Sequence, residues 1–288
     1  CLTVMQSIVI APLDSPTEMD ITGTPVYCTP VASQTSTVTI SNVQNGVGTF
    51  TYQIISPIAA IINNGTNAVF TGLAPDTYVF QVTDANGCTY QESYTVAPVT
   101  NITVAASAFS NVTCFGLANG TAIFDVANFA GNYNYTFDSA PIVNGVNTAQ
   151  LTFTALAPGL HTLVVTDAIT GCQATANVTI SQPAAALDFT TTATNINCNN
   201  DEATITVTAT GGTLDYKYAV VISGALAPAP TAYGLSNQLT VDTTTGANMV
   251  WDVYVMDVNG CITFKPVTIL TDSNPTIAAA VATQCPSA

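Results

Sequence analysis

One strand-turn-cysteine unit occurs three times in this chain and constrains its fold more than any other feature. The copies are residues 78–88, 161–172 and 251–261. In the first copy, Tyr78, Phe80 and Val82 alternate with less apolar residues, which is typical of a strand with one face in a core. Each copy then contains Asp and ends in Gly-Cys, a composition that favours a tight turn. A unit that returns in this way indicates a tandem repeat.

The spacing of the copies predicts domains of the size of an immunoglobulin-like sandwich. The turn cysteines are 172 − 88 = 84 and 261 − 172 = 89 residues apart, close to the roughly 100 residues of such a domain. Short strands of strong β formers fill each interval and no amphipathic helix is found, so we predict an all-β chain of tandem immunoglobulin-like β-sandwich repeats. We assign residues 1–12 to the last strand of a preceding repeat, 13–98, 99–183 and 184–271 to repeats 1 to 3, and 272–288 to the first strand of a following repeat.

The composition excludes several classes of partner. Aspartate and glutamate number 17 against two basic residues, and the net charge is −15. A surface without cations cannot neutralise phosphates, so we expect neither nucleic-acid binding nor attachment to anionic membranes. The longest apolar run, residues 58–62, is far too short to cross a bilayer, so we expect no membrane insertion.

Eight cysteines recur at regular intervals and predict a disulfide framework made in an oxidising, extracytoplasmic setting. They are Cys1, Cys28, Cys88, Cys114, Cys172, Cys198, Cys261 and Cys285. Each repeat holds one cysteine in the loop after its first strand and one in its turn. The simple pairing stays within repeats and gives Cys28–Cys88, Cys114–Cys172 and Cys198–Cys261.

A second pairing joins neighbouring repeats. In immunoglobulin topology the loop and turn cysteines lie at opposite ends of a sandwich, roughly 25 Å apart by strand length, whereas a disulfide needs Cα atoms within about 7 Å. The turn of one repeat would then meet the loop of the repeat before it, as Cys28–Cys172 and Cys114–Cys261. We prefer the pairing within repeats, since a bent first strand would bring those cysteines together, and keep the second open.

The two outermost cysteines belong to the incomplete repeats. Cys1 has the position of a turn cysteine and Cys285 that of a loop cysteine. We therefore expect neither to find a partner within a single repeat of this chain. The rival interpretation of Cys1 is a lipidated N-terminus, which the repeat register disfavours.

A tyrosine corner is predicted in repeat 1. Tyr78 follows Leu73 by five residues, a spacing typical of immunoglobulin-like sandwiches in which the hydroxyl bonds upstream backbone. His161 and Trp251 hold the equivalent position in the other repeats. We therefore interpret His161 as structural and not as catalytic.

Repeat 2 carries Cys-x-x-x-x-Asn-Gly-Thr at 114–121, a Tyr-x-Tyr strand, Leu-Ala-Pro-Gly, and Val-Thr-Asp before Gly-Cys. These motifs resemble the repeats of SprB-type gliding adhesins and, in part, PKD-like and other immunoglobulin-like modules. Repeat 3 departs from them, since 243–246 replaces Leu-Ala-Pro and Asn200-Asp201-Glu202 replaces Asn-Gly-Thr. The resemblance implies an extracellular segment of a long bacterial cell-surface adhesin or filament, exported by type IX secretion, for attachment and gliding motility.

The resemblance also implies partners and modifications. The expected partners are neighbouring repeats of the same chain, with other copies in a fibre and a surface polysaccharide or substratum as candidates; no cofactor is expected. Asp138-Ser139-Ala140 and Asp242-Thr243-Thr244 resemble the O-glycosylation motif of this bacterial group, so Ser139 and Thr243 are candidate acceptors. The alternative functions are a glycan-binding module and a spacer of a secreted multidomain hydrolase.

The recurring turn aspartates, Asp84, Asp167 and Asp257, are the residues most suggestive of a metal. Calcium takes six to eight oxygen ligands with several carboxylates, and aspartates about 85 residues apart supply too few. We therefore predict Asx-type turn caps and no metal site. With one histidine, no arginine and Asp201-Glu202 as the sole adjacent acidic pair, no base–nucleophile arrangement is visible, and we predict no enzyme.

Overall fold

The computed structural model describes residues 14–29, 34–197, 200–242 and 249–271. The regular structure of these residues is β-strand, apart from the short 3-10 helices Ile58–Ala60 and Pro230–Ala232. The strands form six sheets, and each sheet takes its strands from only one of the repeats. Within the described ranges no helix has the length and apolar character needed to cross a membrane.

The first sandwich has a three-stranded and a four-stranded sheet. The three-stranded sheet has the order β1-β2-β5, with β1 (Glu18–Gly23), β2 (Ser36–Gln44) and β5 (Val69–Leu73). The other has the order β4-β3-β6-β7, with β3 (Thr51–Ser56), β4 (Ile62–Asn63), β6 (Asp76–Thr83) and β7 (Thr89–Val96). All the pairings described are antiparallel.

The second sandwich repeats this order. One sheet is β12-β9-β8, with β8 (Thr103–Ser110), β9 (Gly120–Ala127) and β12 (Gln150–Leu156). The other is β11-β10-β13-β14, with β10 (Tyr133–Phe137), β11 (Val143–Val146), β13 (Gly159–Asp167) and β14 (Gln173–Ile180).

The third sandwich has two three-stranded sheets. The first is β15-β16-β18, with β15 (Asp188–Ala193), β16 (Glu202–Thr210) and β18 (Gln238–Asp242). The second is β17-β19-β20, with β17 (Lys217–Ile222), β19 (Val250–Met256) and β20 (Ile262–Thr268). The fold is therefore the predicted all-β array of immunoglobulin-like sandwiches.

The recurring strand supplies the centre of each core. In β6, Phe80 and Val82 are fully buried and Tyr78 is nearly so, while the residues between them are half-buried. Phe80 packs edge-on against Phe70 of the facing sheet, with ring centroids 5.1 Å apart. Burying a side chain of this size stabilises the fold by about 1.5–3 kcal/mol. The strand thus holds the two sheets together and fixes where its own turn begins.

The outer face of one sheet in the third sandwich is also covered. In β19, Tyr254 and Met256 are buried as well as Val253 and Val255, so neither face of the strand is open. Tyr233, which follows the short helix Pro230–Ala232, packs on Tyr254 and Met256 in a second apolar cluster. Alternation alone does not predict this cover, because it lies in the segment that varies most between repeats.

The chain divides into two compact units. Unit 1 contains residues 1–107, 123–151 and 161–177, and unit 2 contains residues 108–122, 152–160 and 178–288. Each unit holds one complete sandwich and part of the second one. The domain boundaries drawn from the sequence stay a prediction.

Candidate functional site: the aspartate turn and its disulfide

The turn after β6 is built around the buried carboxylate of Asp84, which is 5% exposed. Its Oδ1 accepts hydrogen bonds from the N–H groups of Asn86 (2.9 Å) and Cys88 (2.8 Å). Its Oδ2 accepts one from the N–H of Val47 (3.2 Å), in the loop before β3. The first two bonds form an Asx-type turn, and the third ties that turn to a second loop.

The same arrangement recurs in the other two sandwiches. Asp167 and Asp257 are 1% and 2% exposed. Asp167 accepts hydrogen bonds from the backbone N–H groups of Ile169 (2.8 Å), Thr170 (2.7 Å) and Ala130 (2.5 Å). Asp257 accepts them from Asn259 (3.0 Å), Cys261 (2.9 Å) and Thr213 (2.9 Å). The carboxylates of Asp84 and Asp257 therefore bind the N–H of the cysteine that ends the turn, whereas Asp167 binds the turn through Ile169 and Thr170.

Hydrogen bonding stabilises the charged form of the second of these aspartates. Burial raises the pKa of the Asp167 carboxyl, but the N–H donors of Thr170, Ala130 and Ile169 lower it by more, so the pKa lies below its ordinary 3.8. The turn-cap interpretation of the three aspartates is confirmed by these bonds. Within the described residues, no cluster of three or more His, Cys, Asp or Glu side chains could hold a metal ion.

The residue at the start of each recurring strand has a structural partner or a core position. The Tyr78 hydroxyl donates to the carbonyl of Ala74 (2.8 Å), which confirms the tyrosine corner. The ring of His161 stacks on Phe137, with centroids 5.7 Å apart, and its Nδ1 lies 2.9 Å from Oδ2 of Asp138. Trp251 packs against the core of the third sandwich. The structural interpretation of His161 is consistent with these contacts.

Two disulfides join the turn of one sandwich to the loop of the sandwich before it. Cys28, between β1 and β2, is bonded to Cys172, with Cα atoms 4.9 Å apart. Cys114, between β8 and β9, is bonded to Cys261, with Cα atoms 5.7 Å apart. Each bridge lies within one compact unit. Cys88 is a free thiol.

The preferred pairing within repeats is therefore wrong for Cys28–Cys88 and Cys114–Cys172, and also for Cys198–Cys261, since Cys261 bonds Cys114. The loop that holds Cys28 lies at the end of the first sandwich where Gly23 approaches Tyr94. Cys88 lies at the other end of β7, which is eight residues or roughly 26 Å long. No disulfide spans that distance. Cys1, Cys198 and Cys285 lie outside the described residues.

Backbone and amide hydrogen bonds accompany the two disulfides. The N–H of Cys28 donates to the carbonyl of Thr170 (2.9 Å), two residues before Cys172. At the other bridge, the side-chain amide of Asn259 donates to the carbonyl of Thr113 (3.1 Å) and to Oγ1 of Thr213 (3.1 Å). Each loop is thus held by the residues of the turn as well as by the sulfur atoms.

Close approach at the first bridge leaves no room for a side chain on the turn. Gly171 has a φ of +68°, and a Cβ atom there would collide with Oγ1 of Thr29. Glycine is the residue that adopts this backbone region without strain. The Gly before the turn cysteine is therefore required here by packing as well as by conformation.

A cleft of about 540 Å³ lies next to the Cys28–Cys172 bridge in unit 1. Its lining includes Tyr27 and Thr170, which are neighbours of the bridged cysteines, and the apolar side chains of Phe129 and Ile169. Tyr27 and Phe129 are both half-buried. The cleft is mostly apolar and is open to solvent.

The candidate glycosylation and acidic residues are dispersed. Ser139 is exposed in the turn after β10, but the preceding Asp138 is engaged by His161 and by the N–H of Thr162 (2.9 Å). Thr243 lies outside the described residues. Asp201 and Glu202 are both exposed at the start of β16. Glycosylation of Ser139 and Thr243 stays a prediction.

Sequence reasoning missed the loop residues that complete the turn. Val47, Ala130 and Thr213 contribute backbone N–H groups, and a backbone donor leaves no signal in residue type. Thr113 likewise contributes a carbonyl oxygen. The one available signal was positional, because these residues precede the third strand of each sandwich by a few positions, as in Val47 before β3.

Comparison with known proteins finds a family profile that matches part of the chain. The sequence profile described as SprB repeat matches residues 190–228. No curated protein matches the chain by sequence.

Several solved structures are similar to the chain. The three N-terminal domains of the highly immunogenic outer capsid protein Hoc of bacteriophage RB49 are 11% identical, with a TM-score of 0.40 over 91% of this chain and 99% of that one. The BSP domain of a biofilm associated protein is 9% identical, with a TM-score of 0.31 over 93% and 69%. The N-terminal eight Ig domains of Down Syndrome Cell Adhesion Molecule are 9% identical, with a TM-score of 0.29 over 89% and 34%.

The profile match falls on the repeat whose loop motifs depart most from the pattern. It includes β16, β17 and the Asn200-Asp201-Glu202 segment, so those departures do not remove the family signature. Together with the two disulfides, the match supports an extracellular repeat module. The resemblance that the motifs indicate is thereby confirmed for residues 190–228, which match the SprB repeat profile.

Proposed function

We propose that this chain is a structural and adhesive segment of a long bacterial cell-surface adhesin or filament that serves surface attachment and gliding. The observation that carries the proposal is the pair of disulfides between consecutive sandwiches. A surface fibre must transmit force along many domains without lengthening, and covalent links between neighbours serve that purpose. No catalytic step is assigned to the chain.

The disulfides shorten the covalent path along the chain. From Cys28 to Cys261 the backbone has 261 − 28 = 233 residues, which extend to about 800 Å at ~3.5 Å per residue. Through both bridges the path needs only the 172 − 114 = 58 residues between Cys114 and Cys172, or about 200 Å. A pulled fibre would therefore stop lengthening early even if its sandwiches unfolded.

Single-molecule pulling on the chain, held by its two termini, tests this mechanical role. We expect reduction of the disulfides to increase the full extension by about 600 Å, from the 233 − 58 = 175 residues released. In Cys28→Ser the path runs from 28 to 114, which is 86 residues, so the oxidised variant gains only about 100 Å. Equal extensions for oxidised and reduced chains would contradict the proposal that the disulfides limit the extension of the fibre.

Location and motility need a test on cells. Antibodies against the segment should label intact, unpermeabilised cells of the bacterium that makes it, and beads coated with them should travel along gliding cells. Labelling that requires permeabilisation would contradict a surface fibre. Labelled cells whose bound beads stay still would support a surface fibre but contradict a role in gliding.

A second candidate function is glycan binding, favoured by the cleft next to Cys28 and Cys172. Aromatic rings stack on sugar rings, and Tyr27 and Phe129 line this cleft. If the cleft binds glycans, the wild-type chain should give a signal on a glycan array and the Tyr27→Ala variant should give none. Binding that survives this variant would assign adhesion to another surface.

A further inference from the structure

The two disulfides follow one rule. In each, the loop cysteine of one sandwich is bonded to the turn cysteine of the next, at sequence separations of 144 and 147 residues. Among the three complete sandwiches, the rule assigns no partner in this chain to the turn cysteine of the first, Cys88, or to the loop cysteine of the third, Cys198. Cys88 is a free thiol, and Cys198 lies outside the described residues.

The turn that carries Cys88 has the same backbone hydrogen bonds as the turn of the bonded Cys261. The Cys88 N–H donates to Oδ1 of Asp84 (2.8 Å), as the Cys261 N–H donates to Oδ1 of Asp257 (2.9 Å). The reverse bond, from the aspartate N–H to the cysteine carbonyl, is 3.0 Å in both turns. Cys88 is half-buried, so the residue is partly accessible to solvent.

A second residue of this turn matches one that binds a loop elsewhere in the chain. Asn86 and Asn259 occupy the same position in the sequence Asp-x-Asn-Gly-Cys. The Asn259 amide donates to the carbonyl of Thr113, next to the bridged Cys114. The Asn86 side chain is exposed and makes no hydrogen bond to the described residues. Asn259 and Cys261 both bind the Cys114 loop, and the Cys88 turn carries the same two residue types.

We propose that Cys88 and Asn86 form a docking site for the loop cysteine of another sandwich of this type. Between two copies of this chain, the corresponding loop cysteine is Cys198. The result is a head-to-tail disulfide from the third sandwich of one copy to the first sandwich of the next.

The bond forms by two thiol–disulfide exchanges with a small-molecule disulfide such as oxidised glutathione. The first exchange leaves a mixed disulfide and releases one glutathione thiol. The second thiol then attacks, forms the protein disulfide and releases the other glutathione. The two cysteines together lose two protons and two electrons, and one oxidised glutathione is reduced to two thiols.

The test uses the 288-residue chain with its two bridges intact, incubated in a glutathione redox buffer. We expect a ladder of disulfide-linked oligomers on a non-reducing gel and a linked Cys88–Cys198 peptide on mapping. Cys88→Ser and Cys198→Ser should each remain monomeric. An equimolar mixture of these two variants should form a heterodimer and nothing larger, because only one complementary pair of thiols remains.

Two controls separate docking from random oxidation. Cys1→Ser and Cys285→Ser should leave the ladder unchanged. Asn86→Ala should slow formation of the heterodimer about fivefold, the effect of losing one hydrogen bond, while leaving glutathionylation of Cys88 unaffected. The proposal is overturned if the wild-type chain forms no ladder, if Cys88 is linked only to glutathione, Cys1 or Cys285, or if Asn86→Ala does not change the rate.

Discussion

Cys114 of the second sandwich is bonded to Cys261 of the third, with Cα atoms 5.7 Å apart. The other bridge, Cys28–Cys172, closes a loop that overlaps this one, so residues 114–172 belong to both covalent loops. Most of the second sandwich lies in that shared stretch. If the second sandwich alone unfolds, both bridges therefore still lie on the shortest covalent path between the first and the third sandwich.

Replacing the buried turn aspartate should destabilise its sandwich. Asp257→Ala leaves three backbone N–H groups without an acceptor, and we expect a loss of about 3 kcal/mol in the free energy of unfolding. Trp251 is the only tryptophan of the chain and packs on the core of the same sandwich. Its fluorescence during urea unfolding therefore reports the third sandwich specifically.

The matched control for this variant is Asp201→Ala. Asp201 is an exposed aspartate of the same sandwich, and its replacement should change the free energy of unfolding by less than about 0.5 kcal/mol. Equal effects of the two substitutions would mean that the hydrogen bonds to Asp257 contribute nothing specific.

The corner hydroxyl should have a smaller effect. Tyr78→Phe removes the donor to the Ala74 carbonyl and keeps the buried ring, so we expect a loss of about 1 kcal/mol. Tyr90→Phe is the control, because Tyr90 also packs on the first core but its hydroxyl makes no hydrogen bond within the described residues. Thermal unfolding followed by circular dichroism compares them, and a Tyr90 variant as unstable as the Tyr78 variant would refute the corner's contribution.

Acid should loosen the turn at Asp167. Its pKa is lowered in the folded state, so the stability that it contributes is complete above the ordinary pKa of 3.8 and is lost as the pH falls through the lower, folded value. Hydrogen exchange at the amides of Ala130, Ile169 and Thr170, corrected for the intrinsic rate, should show protection falling only in that acidic range. In Asp167→Asn this pH dependence should vanish, whereas a loss of protection beginning well above pH 3.8 would argue against the lowered pKa.

The sequence was sufficient for features that depend on local chemistry. The alternation of Tyr78, Phe80 and Val82 predicted a buried strand, and the Asp-x-Asn-Gly-Cys pattern predicted the capped turn that follows it. The spacing from Leu73 to Tyr78 predicted the corner hydrogen bond. Each of these involves residues within a few positions of one another, so residue type and spacing carry the information.

Features that depend on the placement of whole strands were harder to predict. The choice between Cys28–Cys88 and Cys28–Cys172 depends on which end of a sandwich each loop occupies. A bent first strand would place Cys28 near Cys88, and residue types do not show whether the strand bends. The cover of β19 by Tyr233 and the bonds from Val47, Ala130 and Thr213 also arise from chain path and backbone donors. Neither leaves a pattern in residue type.

The disulfide connectivity tests the link between neighbouring sandwiches most directly. The chain should be digested without reduction by proteases that cleave at aspartate or aromatic residues, since Lys217 and Lys265 are its only basic residues. Mass spectrometry should find the Cys28 peptide joined to the Cys172 peptide, and the Cys114 peptide joined to the Cys261 peptide. A Cys28–Cys88 or Cys114–Cys172 linkage would contradict the covalent joining of consecutive sandwiches.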